Sequence, residues 1–557
     1  MPRTRTASPS IKSALGRAGR TTVAIALAVG VTGFVSVGAA AADHSGPPLL
    51  PLVVRTHDGL VKGLRTAAAR EFLGIPYAAP PVGALRWRPP RAAAKWRGVR
   101  LAKKPGANCA QTGSIGTGVP TTSTAENCLF LNIYTPRSVS RRSVSSRSGR
   151  AGLPVMVWIH GGGFTGGAGS IYDGSVIASK GHVIVVTVNY RLNAFGFLTL
   201  PSLDSERGNS SGDFGLMDQQ TALAWVRENA RAFGGNPRNV TIFGESAGGA
   251  SVCANMASPT ASGLFQRAIA ESGCLFPAQT RKAADQQGTA MAASLGCAHR
   301  ASAAACLRRK SVSAILKADA AGSWGPVSGN RTLPVSPTAA FLAGRYHHVP
   351  LLQGTNHDEG RLFVGLGFDL LGHPITKKQY PVLIKAQFGA KAATAILAKY
   401  PLSAYHSPDL AFSAVSTDSG FSCPALGADD LAAGSGVYAY EFSDPNPPND
   451  FGVKFTFPLG AAHSTELQYV FGKIPFFDTT PPFTRAQFAL SNQFIGYWTR
   501  FAASGNPNGR GAVVWPRFAV SKPRIQELIP SAIAPETGAK FSAFHQCAFW
   551  LALETGR

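Results

Sequence analysis

The segment Gly244 to Gly249 reads Gly-Glu-Ser-Ala-Gly-Gly and places Ser246 in the pattern G-x-S-x-G. An apolar run precedes this segment, and small and apolar residues that can form a helix follow it. In a strand, turn and helix of this kind, the strained turn exposes the serine hydroxyl at the positive end of the helix dipole. The pattern therefore predicts Ser246 as a nucleophile, and it predicts the Ala247 N–H as a donor to an oxyanion.

A second glycine-rich stretch supports this interpretation. Such support is needed because the short pattern G-x-S-x-G occurs by chance in many proteins. His160, Gly161, Gly162 and Gly163 directly follow the apolar run 154–159. Glycines after a strand present bare backbone N–H groups, and in esterases the HGGG pattern supplies the rest of the oxyanion hole. A phosphate-binding loop would need a lysine followed by serine or threonine, which are absent here. The two stretches together predict a serine hydrolase with Gly162 and Gly163 as oxyanion donors.

A nucleophilic serine needs a histidine as base and a carboxylate that orients the histidine. In the fold that carries this serine turn, the chain order is serine, acid, histidine. The histidines after Ser246 are His299, His347, His348, His357, His373, His406, His463 and His545. Most of them must have surface or packing roles, and spacing does not separate Asp358 from Glu359 as the acid. The residues alone leave both choices open.

Short apolar runs alternate with helical stretches from residue 129 onward, which is typical of a mostly parallel sheet with helices on both sides. The runs are 129–134, 154–159, 183–189, 240–243, 268–271 and 350–353. The clearest helical stretches are 215–233, which Gly234 and Gly235 stop, and 485–501. Upstream, 53–64 and 70–77 are predicted strands. No repeat or linker interrupts the pattern, so we expect one large α/β domain.

Residues 1–42 have the layout of a secretory signal peptide: five basic residues, an apolar stretch and a small-residue end before Asp43. A single membrane anchor is the alternative interpretation, since the apolar stretch is nearly long enough to span a bilayer. Alanine and glycine dominate the stretch, however, which favours cleavage. We therefore expect a secreted protein of residues 43–557 without an integral membrane segment.

The formal net charge is +25 for the whole chain and about +20 after removal of residues 1–42. Strong positive charge is compatible with nucleic-acid or anionic partners. No nucleic-acid motif accompanies it, so no nucleic-acid partner is expected. The densest basic cluster, residues 137–150, is rich in serine and arginine and is interpreted as a solvated surface insertion.

Four further segments resemble one known family. They are 126–134 (ENCLFLNIY), 189–192 (NYRL), 356–360 (NHDEG) and 462–467 (AHSTEL). With the two glycine-rich stretches, they make residues from about 70 to 550 similar to the type-B carboxylesterase/lipase family of the α/β-hydrolase fold, which includes cholinesterases and bacterial nitrobenzyl esterases. The resemblance implies the α/β-hydrolase fold and ester hydrolysis. It also implies the catalytic residues Ser246, Glu359 and His463, with Gly162, Gly163 and Ala247 as the oxyanion hole.

Eight cysteines in an exported chain suggest up to four disulfides, whose connectivity the sequence does not determine. Only Cys297 and Cys306 are close enough to close a short local loop. The family resemblance implies three pairs: Cys109 with Cys128, Cys297 with Cys306, and Cys423 with Cys547. Cys253 and Cys274 remain and would form a fourth pair that has no family-wide parallel.

The resemblance also narrows the substrate. The loop between Cys109 and Cys128 lacks the tryptophan with which cholinesterases hold a quaternary ammonium, and it lacks the apolar lid of lipases. We therefore expect a small-molecule ester with a short to medium acyl chain, and neither an organic cofactor nor a metal. The alternatives are a lipase or polyester or carbamate hydrolase and, remotely, a non-catalytic adhesion relative, although such relatives typically lack the nucleophile. The sequence carries no signal for oligomeric state.

Overall fold

An eleven-stranded sheet forms the centre of the computed structural model, which describes residues 50–113, 122–137, 152–207, 211–320, 322–472 and 482–555. Along the chain the strands are β1 (Val53–Arg55), β2 (Leu60–Lys62), β3 (Leu64–Arg65), β4 (Ala69–Pro76), β5 (Val99–Leu101), β6 (Phe130–Pro136), β7 (Leu153–Ile159), β8 (Ile184–Val188), β9 (Gly235–Glu245), β10 (Arg267–Glu271), β11 (Leu351–Asn356), β12 (Val437–Phe442), β13 (Arg524–Leu528) and β14 (Ala534–Thr537). The spatial order is β14-β13-β12-β11-β10-β9-β7-β8-β6-β4-β3. Strands β7 to β13 are mutually parallel, and the outer pairs are antiparallel. The expected mostly parallel sheet is confirmed.

Helices cover both faces of this sheet. They are α1 (Ser175–Gly181), α2 (Asn193–Phe197), α3 (Pro201–Arg207), α4 (Phe214–Phe233), α5 (Ala247–Ala257), α6 (Arg281–Ser294), α7 (Ala303–Arg308), α8 (Val312–Asp319), α9 (Pro337–Leu342), α10 (Gly360–Val364), α11 (Gln379–Lys399), α12 (Pro408–Thr417), α13 (Cys423–Ala432), α14 (Leu467–Phe471), α15 (Arg485–Ser504), α16 (Gly538–Phe544) and α17 (Cys547–Thr555). Successive side chains of a strand point to opposite faces, so β7 contributes to two cores. Val157 packs with α4 and α5 on one face, whereas Trp158 packs with α14 and α15 on the other.

The two helices predicted from periodicity begin and end within a few residues of the predicted positions. Helix α4 ends at Gly234, whose φ of 100° is left-handed and therefore favours glycine. Helix α15 begins with a capping box, in which Thr484 and Gln487 each bond the other's backbone N–H. Local capping thus fixes the C-terminus of α4 and the N-terminus of α15.

The predicted strand 53–64 is not continuous. The chain turns at Gly59, where the Thr56 N–H donates to the Gly59 carbonyl at 2.9 Å. The resulting strands β1 and β2 form a separate three-stranded sheet with β5. Strands β12, β13 and β14 were not predicted.

Four disulfides join all eight cysteines of the chain. The pairs are Cys109–Cys128, Cys253–Cys274, Cys297–Cys306 and Cys423–Cys547. All three pairs implied by the resemblance are present, and the two remaining cysteines form the fourth. That fourth bond ties helix α5 to the segment that follows β10.

We expect the disulfides to differ in their contribution to stability, because a cross-link that closes a longer loop restricts the unfolded chain more. Replacing Cys423 and Cys547, 124 residues apart, with serine should lower the free energy of unfolding by about 5 kcal/mol. The same change at Cys297 and Cys306, nine residues apart, should cost about 2.5 kcal/mol. Urea unfolding of both double variants measures the difference. Equal losses would contradict the loop-length account.

Two sequence predictions fall mainly or wholly outside the described residues: the signal peptide 1–42 and the basic segment 137–150, of which only Arg137 is described. Within the described ranges, no helix combines the length and the hydropathy needed to cross a membrane.

Candidate active site

Ser246 occupies the turn between strand β9 and helix α5. Its φ of 58° and ψ of −123° are strained for a residue with a side chain, as expected for a serine held out of a tight turn. The Ser246 N–H donates to the Glu271 carbonyl at 2.9 Å, and the Ser246 carbonyl accepts from the Ala250 N–H at 2.9 Å. These bonds hold the turn, and the residue remains partly accessible to solvent.

Glycines on both sides of the serine allow β9, α5 and β7 to pass very close to one another. A Cβ on Gly244 would lie 2.5 Å from the Ile159 carbonyl oxygen, and a Cβ on Gly248 would overlap the same atom. In the sheet Ile159 is the partner of Gly244, so β7 and β9 end side by side. The turn that carries Ser246 therefore lies directly beside the segment that leaves β7.

That segment is the glycine loop His160 to Gly163. A Cβ on Gly161 would lie only 3.1 Å from the Ser246 Cβ, so the loop passes against Ser246. Gly162 and Gly163 have φ values of 100° and 61°, which glycine adopts without strain. Within the described residues, the N–H groups of Gly162 and Gly163 donate to no other group. They lie in the loop next to Ser246 and α5, which begins at Ala247.

A buried histidine supports the loop from below. The His160 ring stacks on Tyr190 with centroids 4.4 Å apart, and the Tyr190 hydroxyl donates to the His160 carbonyl at 2.8 Å. Burial lowers the pKa of His160 to about 4, although the contact of its Nδ1 with the Gly161 carbonyl opposes this shift. The ring is therefore neutral at pH 7 and adds no charge beneath the loop.

Glu359 and His463 meet through a buried hydrogen bond. Nδ1 of His463 lies 2.6 Å from Glu359 Oε2. The other carboxylate oxygen of Glu359 accepts from the Asn356 N–H at 2.8 Å and the Thr355 hydroxyl at 2.9 Å. The Glu359 side chain is thus fixed, and it holds the His463 proton on Nδ1. Nε2 forms no hydrogen bond among the described residues, and a carboxylate oxygen of Glu245 lies 3.0 Å from it. A general base needs such a nitrogen without a proton.

Asp358, the neighbouring candidate acid, points to other groups. Its carboxylate lies 2.8 Å from the Arg361 guanidinium and 3.3 Å from His357 Nδ1, and it accepts from the Ala461 N–H at 3.1 Å. The structure therefore brings Glu359, and not Asp358, to His463.

A second histidine lies between two carboxylates but is fully engaged. Nδ1 of His545 lies 2.7 Å from Asp418, and Nε2 lies 2.7 Å from Glu441. Burial lowers the pKa of His545, but the hydrogen bonds and charges of the two acids outweigh it and raise the pKa to about 10. With both nitrogens occupied and the ring charged, His545 has no lone pair with which to accept a serine proton.

Glu245 adds a second carboxylate next to His463. Its Oε1 lies 3.0 Å from His463 Nε2 and accepts from the Ser464 hydroxyl at 2.8 Å. Burial lowers the pKa of His463, but the charges of Glu245 and Glu359 outweigh it, and the pKa is raised above its ordinary value of 6.5. Glu245 therefore stabilises an imidazolium at this position.

The raised pKa gives a testable pH dependence. If His463 is the general base, it must be neutral to act, so kcat/KM should fall on the acid side with an apparent pKa above 6.5. Glu245→Gln removes a negative charge that favours the imidazolium and so lowers the pKa of His463. The acid limb, which is the fall of kcat/KM at low pH, should therefore move to lower pH. Glu228→Gln, which removes an exposed carboxylate, serves as the control and should leave the limb in place. An unchanged limb in an active Glu245→Gln enzyme would contradict the assignment.

Sequence reasoning missed the aromatic side chains around His463. The Phe363 ring centroid lies 4.8 Å and the Phe421 centroid 5.1 Å from that of His463, and Phe276 lies 5.3 Å from Phe421. Phe363 follows Glu359 by one helical turn, which is a signal that could have placed it. Phe421 comes from the segment before α13, and no local pattern indicates its position.

The supporting groups Thr355 and Ser464 were also missed, although each lies within four residues of a predicted site residue. The described residues contain no group of three or more histidines, cysteines and carboxylates arranged to hold a metal ion.

Comparison with known proteins agrees with this geometry. The model of the carboxylesterase family matches residues 51–550. A para-nitrobenzyl esterase of Bacillus subtilis is 35% identical over 502 residues, with 84% of this chain and 92% of that protein covered. A fumonisin B1 esterase of Sphingopyxis macrogoltabida is 33% identical over 485 residues, with 84% of each chain covered. The solved structure of a thermophilic PNB esterase superposes with a TM-score of 0.74 at 33% identity and covers 89% of this chain and 99% of its own.

The serine turn, the glycine loop, the buried Glu359–His463 pair and these similarities have one common interpretation. The chain belongs to the carboxylesterase family and is a carboxylic ester hydrolase with the α/β-hydrolase fold.

Proposed function

We propose that the protein hydrolyses esters with short to medium acyl chains through an acyl-enzyme intermediate on Ser246. The observation that carries the proposal is the Glu359–His463 pair. Nε2 of His463 forms no hydrogen bond within the part of the chain that the structure describes and lies 3.0 Å from the carboxylate of Glu245, the residue that precedes Ser246.

The proposed reaction uses these groups in turn. His463 Nε2 takes the Ser246 proton as the serine oxygen attacks the ester carbonyl carbon, and the N–H groups of Gly162, Gly163 and Ala247 stabilise the oxyanion. The carbonyl re-forms, the C–O bond to the alcohol breaks, and His463 gives its proton to the leaving oxygen. Water then attacks the acyl-enzyme with the same base, which releases the acid and restores Ser246.

The acyl-chain preference rests on the surroundings of His463. The rings of Phe363, Phe421 and Phe276 form a continuous aromatic wall beside the base. Apolar acyl or aryl groups gain from contact with such a wall, whereas its rigid rings limit the length that fits.

A substrate series tests the proposal. We expect kcat/KM for p-nitrophenyl esters, measured from acetate to palmitate, to peak at short or medium chains. A peak at long chains that rises sharply above the solubility limit would instead support a lipase.

Rapid mixing tests the acyl-enzyme separately. If deacylation limits turnover, p-nitrophenol should appear in a burst of one equivalent per active site. Added methanol should trap the acyl group as its methyl ester at a ratio that is independent of the leaving group. A ratio that changes with the leaving group would contradict a shared acyl-enzyme.

We further propose that the protein is exported after removal of residues 1–42. The four disulfides support this, because such bonds persist in oxidising compartments. N-terminal sequencing of the protein recovered from culture medium tests it. An intact residue 1, or retention in the cell, would contradict it.

A further inference from the structure

The three-stranded sheet of β1, β2 and β5 has one buried and one uncovered face. Val54 and Val61 point inward and are buried. Arg55 and Lys62 point outward and are exposed, and the outward residues of the edge strand β5, Val99 and Leu101, are 47% and 66% exposed. No described element covers this outward side.

Cationic and apolar side chains alternate across the uncovered side. In the register of the sheet, Lys62 of β2 lies opposite Leu101 of β5. Leu60 of β2 lies between Val99 of β5 on one side and Arg55 of β1 on the other. The exposed Lys103 and Lys104 follow β5 after one buried residue, Ala102. We call the side chains Arg55, Lys62, Val99, Leu101, Lys103 and Lys104 the basic face.

The charge of this region is almost entirely of one sign. Residues 50–104 contain twelve lysines and arginines and two acidic residues. Asp58 is buried and accepts from the Trp225 indole at 3.0 Å, and Glu71 accepts from the Thr66 hydroxyl at 2.8 Å. Within the described ranges, no cation of the basic face forms an ion pair. Its positive charge is therefore available to a partner.

We propose that the basic face docks the enzyme onto an anionic phospholipid surface. The four cations would lie at the headgroup phosphates, where each basic residue strengthens binding about 5-fold. The positive charge of the basic face would by itself bind any polyanion and does not identify a lipid. Val99 and Leu101 stand among the cations, however, and exposed apolar side chains gain only where an apolar phase lies behind the phosphates.

Co-sedimentation with vesicles tests the proposal on the exported protein, with its N-terminus identified by mass spectrometry. The vesicles contain 30% phosphatidylglycerol in phosphatidylcholine. The four-site variant Arg55→Gln, Lys62→Gln, Lys103→Gln, Lys104→Gln should bind these vesicles about several hundred-fold more weakly than wild type. A matched control neutralises four exposed lysines of another region, Lys377, Lys378, Lys385 and Lys391, and should bind nearly as well as wild type.

A second variant separates lipid from other polyanions. Val99→Ser with Leu101→Ser keeps every charge and should weaken vesicle binding about tenfold while leaving binding to soluble polyphosphate unchanged. All variants should keep the wild-type kcat/KM for p-nitrophenyl butyrate, which shows that they fold. Equal loss in the matched control, wild-type binding by the serine variant, or equal binding to pure phosphatidylcholine vesicles would each overturn the proposal.

Discussion

Replacing Ser246 with alanine should lower kcat for p-nitrophenyl butyrate by on the order of 10⁴-fold or more. The change removes the oxygen that forms the acyl-enzyme, and the helix N-terminus and glycine loop alone cannot replace it. The positive φ at Ser246 is about as unfavourable for alanine as it is for serine. The substitution therefore adds no backbone strain, and the fold should change little. Stopped-flow or long-time spectrophotometric assays measure the residual rate.

The control is Ser262→Ala, which removes an exposed hydroxyl from the segment that follows helix α5. It should retain full activity. A fluorophosphonate probe should label wild type and the Ser262→Ala variant, and it should not label Ser246→Ala. Wild-type activity in a folded Ser246→Ala protein would eliminate Ser246 as the nucleophile.

Glu359→Gln should lower kcat by on the order of 10³- to 10⁴-fold, because the amide neither stabilises the imidazolium nor holds the Nδ1 proton. Asp358→Asn is the matched control: it is the adjacent residue and undergoes the same loss of one charge. Its carboxylate contacts Arg361 and His357 and does not reach His463. We expect its activity to stay within about tenfold of wild type.

Thermal unfolding of both variants distinguishes a local effect on the base from a loss of folded protein. If Asp358→Asn is the more damaging change at equal stability, Asp358 and not Glu359 orients the histidine in solution.

The choice between these two acids also shows where sequence reasoning ends. Periodicity and composition place the strands that carry the site, because burial on both faces leaves a simple apolar run such as β7 or β8. Adjacent carboxylates share the same spacing, so only the backbone after β11 decides which one faces the histidine. Asn356 and Thr355 settle it by binding Glu359.

Other elements were missed for equally physical reasons. Strand β9 begins at Gly235, five residues before its apolar run, because Gly235 pairs with Leu153 and the regular pairing resumes only at Val240. Residues 236–239 lie in the irregularity between these two pairs and give no apolar signal. Strand β14 lies at the edge of the sheet and has no buried residue, and β13 beside it has arginine, glutamine and glutamate at three of its five positions. Neither strand therefore gives a clear apolar pattern. Phe421 reaches His463 through a contact between distant segments, which no local signal encodes.

The ion triad of His545, Asp418 and Glu441 has a consequence for the end of the chain. A stop codon before His545 would remove the buried cation and Cys547 together. Two carboxylates would remain inside the protein without a counter-charge, and Cys423 would become a free thiol. The segment from His545 to Cys547 therefore belongs to the folding unit, and an affinity tag at the C-terminus should be added without replacing these residues.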